Sequence, residues 1–579
     1  METRRVRDGG AFAPRPADTD AASRLSRELG LHPVTAQVLS VRGIRDPAQA
    51  RRYLAPGPGD LRAPSLLRDM DRATEALARA LDRGVRIAVY GDYDVDGVCA
   101  TTVAVRALRA FGADVVPFVP HRVQDGYGLN PEALERLRAR GCGLILTVDN
   151  GVTRADVIEQ ATSSGLEVVV TDHHEPAERL PTCPLVNPKR PDATYPFKGL
   201  AGCGVALKVV LGLAERLGRT GQGTFKALLP DLLALTAVGT VADVVPLCDE
   251  NRALVAMGLK ALAGTPHAGL RALVEVAGCT GRALHSSDVA YRIGPRINAA
   301  GRLGSADLAL DLLLCGDDAE RAADLAEQLD AANRERQQVE RRQAEEAFEQ
   351  AAGFLERGDA PALVLAGEGW HPGVIGIVAA RVAETYRVPA VLVSVEGELG
   401  RGSARCFGDV RLHEALARCG ALLESHGGHA KAAGFTMKAD RLERFRAAFL
   451  DAVLEQERGD PGPREVAAEL PVDAITLPFA AELERLAPFG FGNEEPLFCA
   501  RGVRAAGRPR RVGPGERHLL FYAAGLRTAV RAVAPCTPRH EELLQGAFDL
   551  SFRVRRRDGP DPVELRVDEL APTPGPPAR

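Results

Sequence analysis

The sequence predicts an α/β architecture in four pieces: a parallel-sheet domain, a long connecting helix, a second α/β domain and a small OB-like β-barrel. Three observations predict it. Between Arg86 and His174, four short β-branched runs (RIAVYGD, DVVPFVP, GLILTVDNG, EVVVTDHH) alternate with stretches long enough for crossover helices, the pattern of a parallel sheet. From about Asp318 to Leu355 a polar run carries neither Gly nor Pro until Gly353, which reads as a single helix on the order of 55 Å long. Beyond Val466 the chain breaks into short alternating strands, GVRAAG, HLLFYAAG, AVRAVA, DLSFRVRRR and PVELRVDEL, which fit a barrel.

Taken in order, residues 1–70 begin as a Pro/Ala/Gly/Arg tail and become weakly helical from Ser23 to Ala50, so a partly disordered appendage is expected. The first α/β domain occupies 71–317 and turns helical after about Leu200, through LKVVLGLAERLG, DLLALTAVGTVAD and NRALVAMGLKALAG. The helix over 318–357 reads as a solvated strut. The second α/β domain, 358–457, contains PALVLAGEGWHPGVIGIVAARVAETY, PAVLVSVEGELGRGSAR and SHGGHAKAAGF. ERGDPGPRE, 457–465, is a linker by composition, the barrel fills 466–570, and APTPGPPAR, 571–579, reads as a disordered tail.

Composition narrows the function classes. A chain of 579 residues, 45% hydrophobic and 26% charged, is neither disordered nor collagen-like and can bury several cores. Its net charge of −4 provides no global field for nucleic acid, so a polyanion has to meet a local basic surface. Thirteen Arg against four acidic residues between Arg501 and Arg557 offer one. Eleven Cys, none in a CxxC pair, fit core thiols in a reducing cytoplasm rather than a zinc ribbon or a disulfide framework. An N-terminus without an apolar core, and no run of eighteen apolar residues, predict neither export nor a membrane span.

The chemistry lies at strand ends: Asp92, Asp94 and Asp96 in GDYDVDG, Asp149 in VDNG, Asp172, His173 and His174 in TDHH, and Asp243 in TVADVV. A lone Asp after a strand is usually a helix N-cap, and a lone His usually a surface or core residue. Three carboxylates within five residues, however, repel one another and persist as carboxylates only if cations neutralise them. Oxygen-rich ligands with one or two imidazoles suit Mn²⁺ or Mg²⁺ better than structural zinc. The carboxylate count accommodates two divalent ions, ~3.5–4 Å apart and bridged by one carboxylate, an arrangement suited to in-line attack on phosphorus.

GDYDVDG, VDNG, TDHH and TVADVVPL resemble the four signature motifs of the DHH phosphoesterase superfamily, and GRGSAR and SHGGHAKAAGF resemble its associated DHHA1 domain. YRIGPRINAAGRLG, the long helix, WHPGVIGIVAAR and LAPFGFGNEEPLF are similar to the single-strand-specific exonucleases of that superfamily, and the resemblance runs from about Ile87 to the C-terminus. It implies that Asp94 and Asp96 bind one metal each, that Asp149 bridges, and that His173 and Asp243 complete the second site. His174 is then a proton-transfer or phosphate-polarising group, and Asp92 a carboxylate behind the ligands that orients the motif or a bound water. Wider relatives often carry His four residues before the first ligand Asp; here that position is Tyr90, which predicts a weaker first metal site.

The same comparison implies phosphate contacts from Arg122 in PHRVQDGYGL, from Arg296, Asn298 and Arg302 in GPRINAAGR, from Ser403 and Arg405, and from Gly427, Gly428 and His429. Trp370 and His371 either stack on a base or pack in the core. The implied activity is metal-dependent hydrolysis of single-stranded DNA from the 5′ end, releasing mononucleotides, in DNA repair and recombination. The implied setting is a cytoplasmic monomer, away from any membrane, with a RecQ-type helicase and a single-strand-binding protein as partners. Two other readings stand beside it. One is a small-substrate phosphodiesterase acting on oligoribonucleotides or cyclic dinucleotides, which would not need a basic barrel. The other is a scaffold for replication proteins, which would not need every carboxylate and His in place.

Overall fold

The structure, a computed structural model, describes residues 11–122, 128–220, 223–356, 360–456 and 462–573. The N-terminal segment is the first difference from expectation: from Phe12 on, it is no appendage. Strand β1 (Phe12–Pro14) pairs in parallel with Arg464–Val466. Helices α1 (Thr19–Leu29), α2 (Pro33–Val41) and α3 (Pro47–Leu54) follow, with Asp18 and Asp46 capping α1 and α3 and prolines opening α2 and α3. Leu25, Leu31, Leu39 and Leu54 enter the same core as Phe479, Phe498 and Phe552 of the C-terminal region. The backbone N–H of His32 donates to Glu482, 450 residues away. Weak local periodicity concealed these helices because the surface that completes them lies at the other end of the chain. Residues 1–10, part of the expected disorder, lie outside the described residues.

The first α/β domain has the expected parallel sheet. Strands β2 (Arg86–Tyr90), β3 (Val115–Phe118), β4 (Cys142–Val148), β5 (Glu167–Thr171) and β6 (Leu185–Val186) lie in the order β3-β2-β4-β5-β6, all parallel. The chain leaves β2 outward to β3 and returns on its other side as β4. The carboxyl ends of β2 and β4 therefore flank the topological switch point, where open α/β sheets hold their ligands. Helix α4 (Val95–Ala110) starts directly after β2, capped by the Asp94 carboxylate, which accepts from Gly97 N–H at 3.0 Å. Helices α5 (Gly202–Arg216), α6 (Gly223–Ala242) and α7 (Asp249–Ala263) complete the core. Helix α6 is long and apolar enough to cross a membrane, but it packs between α4 and α7. A π-helical turn, Val289–Ile293, leads into α8 (Gly294–Leu303).

The long helix α9 (Ala319–Leu355) is not simply a solvated strut. Ala322, Ala326 and Leu329 belong to the core of the first domain, and Ala344, Ala347 and Ala351 to a core of the second. Small side chains at three- and four-residue spacing let both domains close onto one rigid rod. In the second domain β7 (Leu363–Glu368), β8 (Ala390–Glu396), β9 (Leu399–Arg405), β10 (Leu423–Gly428) and β11 (Ala432–Lys438) take the order β10-β11-β9-β8-β7. Only β7 and β8 are parallel, and α10 (Ile375–Tyr386) covers one face.

After β12 (Arg464–Val466) and β13 (Ala468–Glu469) come β14 (Phe498–Val512), β15 (His518–Ala524), β16 (Ala529–Pro535), β17 (Ala547–Arg556) and β18 (Val563–Pro572). Pairing of β14 with both β15 and β17 closes the last five strands into a barrel. Strand β18 runs to Pro572, so the expected tail at 571 starts inside a paired strand; 574–579 lie outside the described residues, as do 457–461 of the linker. The Arg surplus of the barrel is smaller than its count suggests. Arg531, Arg553, Arg555 and Arg556 pair with Glu564, Asp568, Glu495 and Glu484, acids outside the Arg501–Arg557 stretch. Arg504, Arg508, Arg510, Arg517, Arg527 and Arg539 remain exposed without an ion pair among the described residues.

Arg252 of α7 joins three parts of the chain. Buried to 3% exposure, it lies 3.9 Å over the Tyr53 ring and donates to the carbonyls of Tyr53, Arg485 and Leu486. Burial brings its pKa down to about 10. The barrel, the N-terminal helices and the first domain thus share one buried cation.

Leu39→Ala, at a position with no solvent exposure, is expected to destabilise the barrel unit by about 2–5 kcal/mol. Hydrogen exchange of the β15 and β16 amides should accelerate accordingly. Unchanged exchange would mean that the helices merely rest on the barrel.

Candidate metal centre and nucleic-acid interface

Asp92, Asp94 and Asp96 leave the end of β2, Asp149 that of β4, and His173 and His174 that of β5, while Asp243 follows α6. Asp149 holds a left-handed backbone, φ 64°, which Asp tolerates better than most residues. Gly202 at the start of α5 lies so close that a Cβ there would fall on the Asp149 carboxylate. The N–H groups of Gly202 and Cys203 instead donate to Asp96, at 2.7 and 3.0 Å, so a helix N-terminus supports that charge. The Asn150 carboxamide donates to Tyr90 O and Val148 O, tying the two strand ends together.

Three sets of donor atoms converge, each within 4.8 Å: Asp92, Asp94 and Asp149; Asp96, His173 and Asp243; Asp149, His173 and His174. Asp149 and His173 are shared between sets, and His173 Nε2 lies 3.1 Å from Asp149 Oδ1 and 3.5 Å from Asp243 Oδ2. Asp92 Oδ1, Asp149 Oδ1, Asp243 Oδ2 and both His173 ring nitrogens are buried with no hydrogen-bond partner among the described residues. Orphaned buried polar atoms are costly, and several aimed at one point fit a cation. Burial, then repulsion from Asp94, pushes Asp92 up to about 8. Burial with repulsion from Asp96 and Asp94 takes Asp243 to about 9 and Asp149 well above the usual carboxylate range. Burial drives His173 down to about 4, leaving a neutral imidazole able to ligate. The oxygen-rich donor set fits Mn²⁺ or Mg²⁺.

Asp92, expected behind the ligands, brings a carboxylate oxygen within 4.8 Å of those of Asp94 and Asp149 and so could hold an ion as well. Tyr90 turns away: its ring packs on Phe118, centroids 4.8 Å apart, and its hydroxyl donates to Gly128 O. Residue 90 therefore contributes nothing to the first set, in which Asp92 offers the third donor atom. Asp172 has no task legible in the sequence, and its position supplies one. One of its oxygens accepts from His173 N, His174 N and His174 Nδ1 at 2.7, 3.1 and 2.8 Å, and the other from Val152 N. Burial opposes a charged His174, but the Asp172 hydrogen bond and charge, with Asp92 and Asp94 beyond, outweigh it and hold the ring's pKa above its ordinary value.

Beside the acids stands a group of guanidiniums. Arg122 lies 4.7 Å over the Tyr93 ring. Arg302 of α8 donates to Gly373 O in the second domain, and burial, reinforced by the charges of Arg122, Arg336 and Arg405, brings its pKa down to about 10. Burial and Arg122 also lower Arg405, which donates to Ser403 Oγ. A Cβ on Gly376 at the start of α10 would lie 2.8 Å from Arg405 and 3.0 Å from Ser403, so a helix N-terminus reaches this pair as well. Arg336, buried on α9 and paired there with Glu340 at 2.6 Å, is not legible in the sequence because charges on a polar helix read as solvated.

The remaining candidates divide. Arg296 is not brought into this group: its guanidinium pairs with Asp330 at 2.8–2.9 Å and donates to Arg292 O. Asn298 is half-buried and lines a cavity between the first domain and the barrel. Gly427, Gly434 and Ser403 lie in register across β10, β11 and β9, an open row beside Arg405. Gly428, φ 133°, is required by its close approach to Ala433 on the paired strand, and His429 is exposed at the hairpin end. Trp370 packs in the core at 3% exposure with Nε1 donating to Glu346, and His371 Nδ1 accepts from Gly373 N.

Comparison with known proteins gives the same order of domains. The DHH family N-terminal domain matches residues 86–240, the DHHA1 domain 359–455 and the RecJ OB domain 466–556. The chain is 38% identical over 494 residues to the single-stranded-DNA-specific exonuclease RecJ of Dickeya dadantii, covering 83% of this chain and 84% of that one. The chain belongs to the RecJ family. Identity to the Bacillus subtilis RecJ is 37% over 510 residues, 87% of this chain but 63% of that longer relative. The crystal structure of Thermus thermophilus RecJ in complex with Mn²⁺ matches with a TM-score of 0.82 at 34% identity, covering 97% of this chain and 79% of that one. The Mg²⁺ complex of the same RecJ matches with a TM-score of 0.77. These are the ions that the orphaned donors fit here.

Mn²⁺ should raise the Tm of the metal-free protein more at pH 8 than at pH 6. With the folded pKa values of Asp92 and Asp243 at about 8 and 9, the metal-free fold keeps protons there that the unfolded chain releases near pH 4. That contribution to stability is present at low pH and lost as pH rises towards 8–9, where the cation replaces it. Equal gains at both pH values would show that the cluster is already ionised without metal.

Proposed function

We propose that the protein is an exonuclease that hydrolyses single-stranded DNA from the 5′ end, 5′→3′, releasing mononucleotides in DNA repair and recombination. The observation that carries this reading is the juxtaposition of a buried carboxylate–imidazole cluster with guanidiniums from both α/β domains and the helix between them. Divalent ions bound in the cluster would activate water and offset the charge developing on the phosphate. The chain's own groups do the rest. Asp149 and His173, shared between donor sets, set the spacing of the site. His174, its Nδ1 held on Asp172, would hold or deliver a proton at the scissile phosphate. Arg122, Arg302 and Arg405, with Arg336 behind them on Glu340, concentrate more positive charge than one phosphodiester requires, and so suit a terminal phosphate monoester.

The exposed barrel arginines support a strand running on beyond the cleft. The reading includes the cytoplasm as the compartment and a monomer as the active state. A RecQ-type helicase would expose the strand, and a single-strand-binding protein would coat it.

Asp149→Asn preserves a residue tolerant of the left-handed backbone while removing a shared ligand charge. Strand binding should survive and kcat should fall far more than tenfold, since tenfold represents only ~1.4 kcal/mol of barrier. Retained turnover within that factor, in saturating Mn²⁺, would remove Asp149 from its role. Arg405→Ala should cost ~1.5–3 kcal/mol on 5′-phosphorylated strands and less on 5′-hydroxyl strands. Equal losses on both would place the terminal phosphate elsewhere. Strands labelled at either end and digested with Mn²⁺, Mg²⁺ or EDTA test the polarity: release of the 3′ label first would overturn it.

A further inference from the structure

Few large apolar side chains are exposed among the described residues, and three of them gather in one place. Val244, Tyr291 and Phe491, 65%, 82% and 58% exposed, line a cavity of about 1080 Å³ between the helical half of the first domain and the barrel. Scattered exposed apolar residues are ordinary, whereas a cluster in a concave surface marks a ligand. The backbone beneath each one is held firmly. Tyr291 stands on the π-helical turn Val289–Ile293, a rare form that recurs at functional sites. Val244 immediately follows the candidate ligand Asp243 and holds φ 60°, a strained position for a β-branched residue. Phe491 O accepts from Leu247 N at 2.7 Å, Phe489 O accepts from Ser286 Oγ, and the Asn493 carboxamide donates to Leu486 O and Pro488 O. The Phe491 ring is therefore displayed from a loop anchored on both sides.

The cavity also indicates what covers this wall. Asn298, Arg302 and Arg336 line it, next to the metal cluster, and so do Arg555 and Arg556 of the barrel, each paired with an acid of the same lining, Glu495 and Glu484, beside Glu494. It thus runs from the phosphate-binding groups of the cleft towards the barrel, with an aromatic and aliphatic stretch in its lining. At about 1080 Å³ it exceeds the usual ~300–1,000 Å³ of small-ligand sites. A polymer with a charged backbone and flat apolar side groups matches that sequence of surfaces. Paired bases hide their faces, and unpaired ones present them.

We propose that Tyr291, Phe491 and Val244 form a base-stacking subsite for the nucleotides lying between the scissile phosphate and the barrel. The inference rests on the exonuclease reading and adds a means of selection: unpaired strand is held by its base faces without reference to sequence. Trp370 and His371 do not compete for this role, Trp370 being buried in the core and His371 half-buried against Gly373.

The test uses the full-length protein without divalent ions and oligonucleotides carrying 2-aminopurine at successive positions from the 5′ end. One short run of internal positions should be quenched on binding. Tyr291→Ala and Phe491→Ala should each abolish quenching at some of those positions, whereas Tyr291→Phe should preserve it. With Mn²⁺, Tyr291→Ala should raise KM about tenfold on ordinary strands, with kcat unchanged, and should have no effect on strands made abasic at the quenched positions. Absence of position-dependent quenching, quenching unaffected by both alanine variants, or equal KM increases on abasic strands would each overturn the subsite. Failure of the exonuclease reading would appear separately, as wild-type protein that quenches the probe but digests neither end.

Discussion

The structure is organised around the burial of carboxylates in one cluster. Asp92, Asp96 and Asp149 are each less than 5% exposed, and Asp243 joins them. Like charges at this spacing, removed from water, are driven to protonate unless a cation is present. The upward shifts of Asp92, Asp149 and Asp243 express that stress. The surrounding fold explains how the stress is sustained. The strand order reverses at β2, bringing two acidic strand ends together, the first turn of α5 directs amides at Asp96, and Asp172 fixes one imidazole and raises its pKa against burial.

The guanidiniums are the complement of that cluster and carry a similar stress of opposite sign. Arg302 loses basicity because burial and three other arginines act against it. A phosphate held among these cations would relieve their repulsion, as divalent ions would relieve that of the acids. The cations come from the first domain, α9 and the second domain, and α9 is inserted in both cores. The cleft therefore has a set width, and Arg302 donating to Gly373 O spans it directly.

A second set of restraints fixes the barrel. Its core is completed by α1 to α3, and Arg252 holds Tyr53, Arg485 and Leu486 around one buried charge. Because that cation forms no ion pair among the described residues and relies on carbonyls and a ring, the attachment is directional as well as cohesive. The cavity between first domain and barrel keeps its shape for this reason, and its exposed aromatic residues stand on braced backbone rather than on free loops.

Much of this was legible in the chain. The parallel sheet, the long helix, the mixed second domain and the barrel follow from periodicity and punctuation, which are local properties. The residue types at the strand ends, GDYDVDG, VDNG and TDHH, determined a divalent-cation site, because consecutive carboxylates leave few other solutions. What only the tertiary structure decided are facts about separation in space. Asp92 joins the donor atoms while Tyr90 turns into the core, Arg296 is taken up by Asp330, Arg336 is held by Glu340 close enough for its charge to act on Arg302, and the N-terminal helices complete a barrel 450 residues away. Residue type and spacing specify what a side chain can do. Which partner it meets depends on the packing of elements distant in sequence, and a single sequence carries no direct record of that packing.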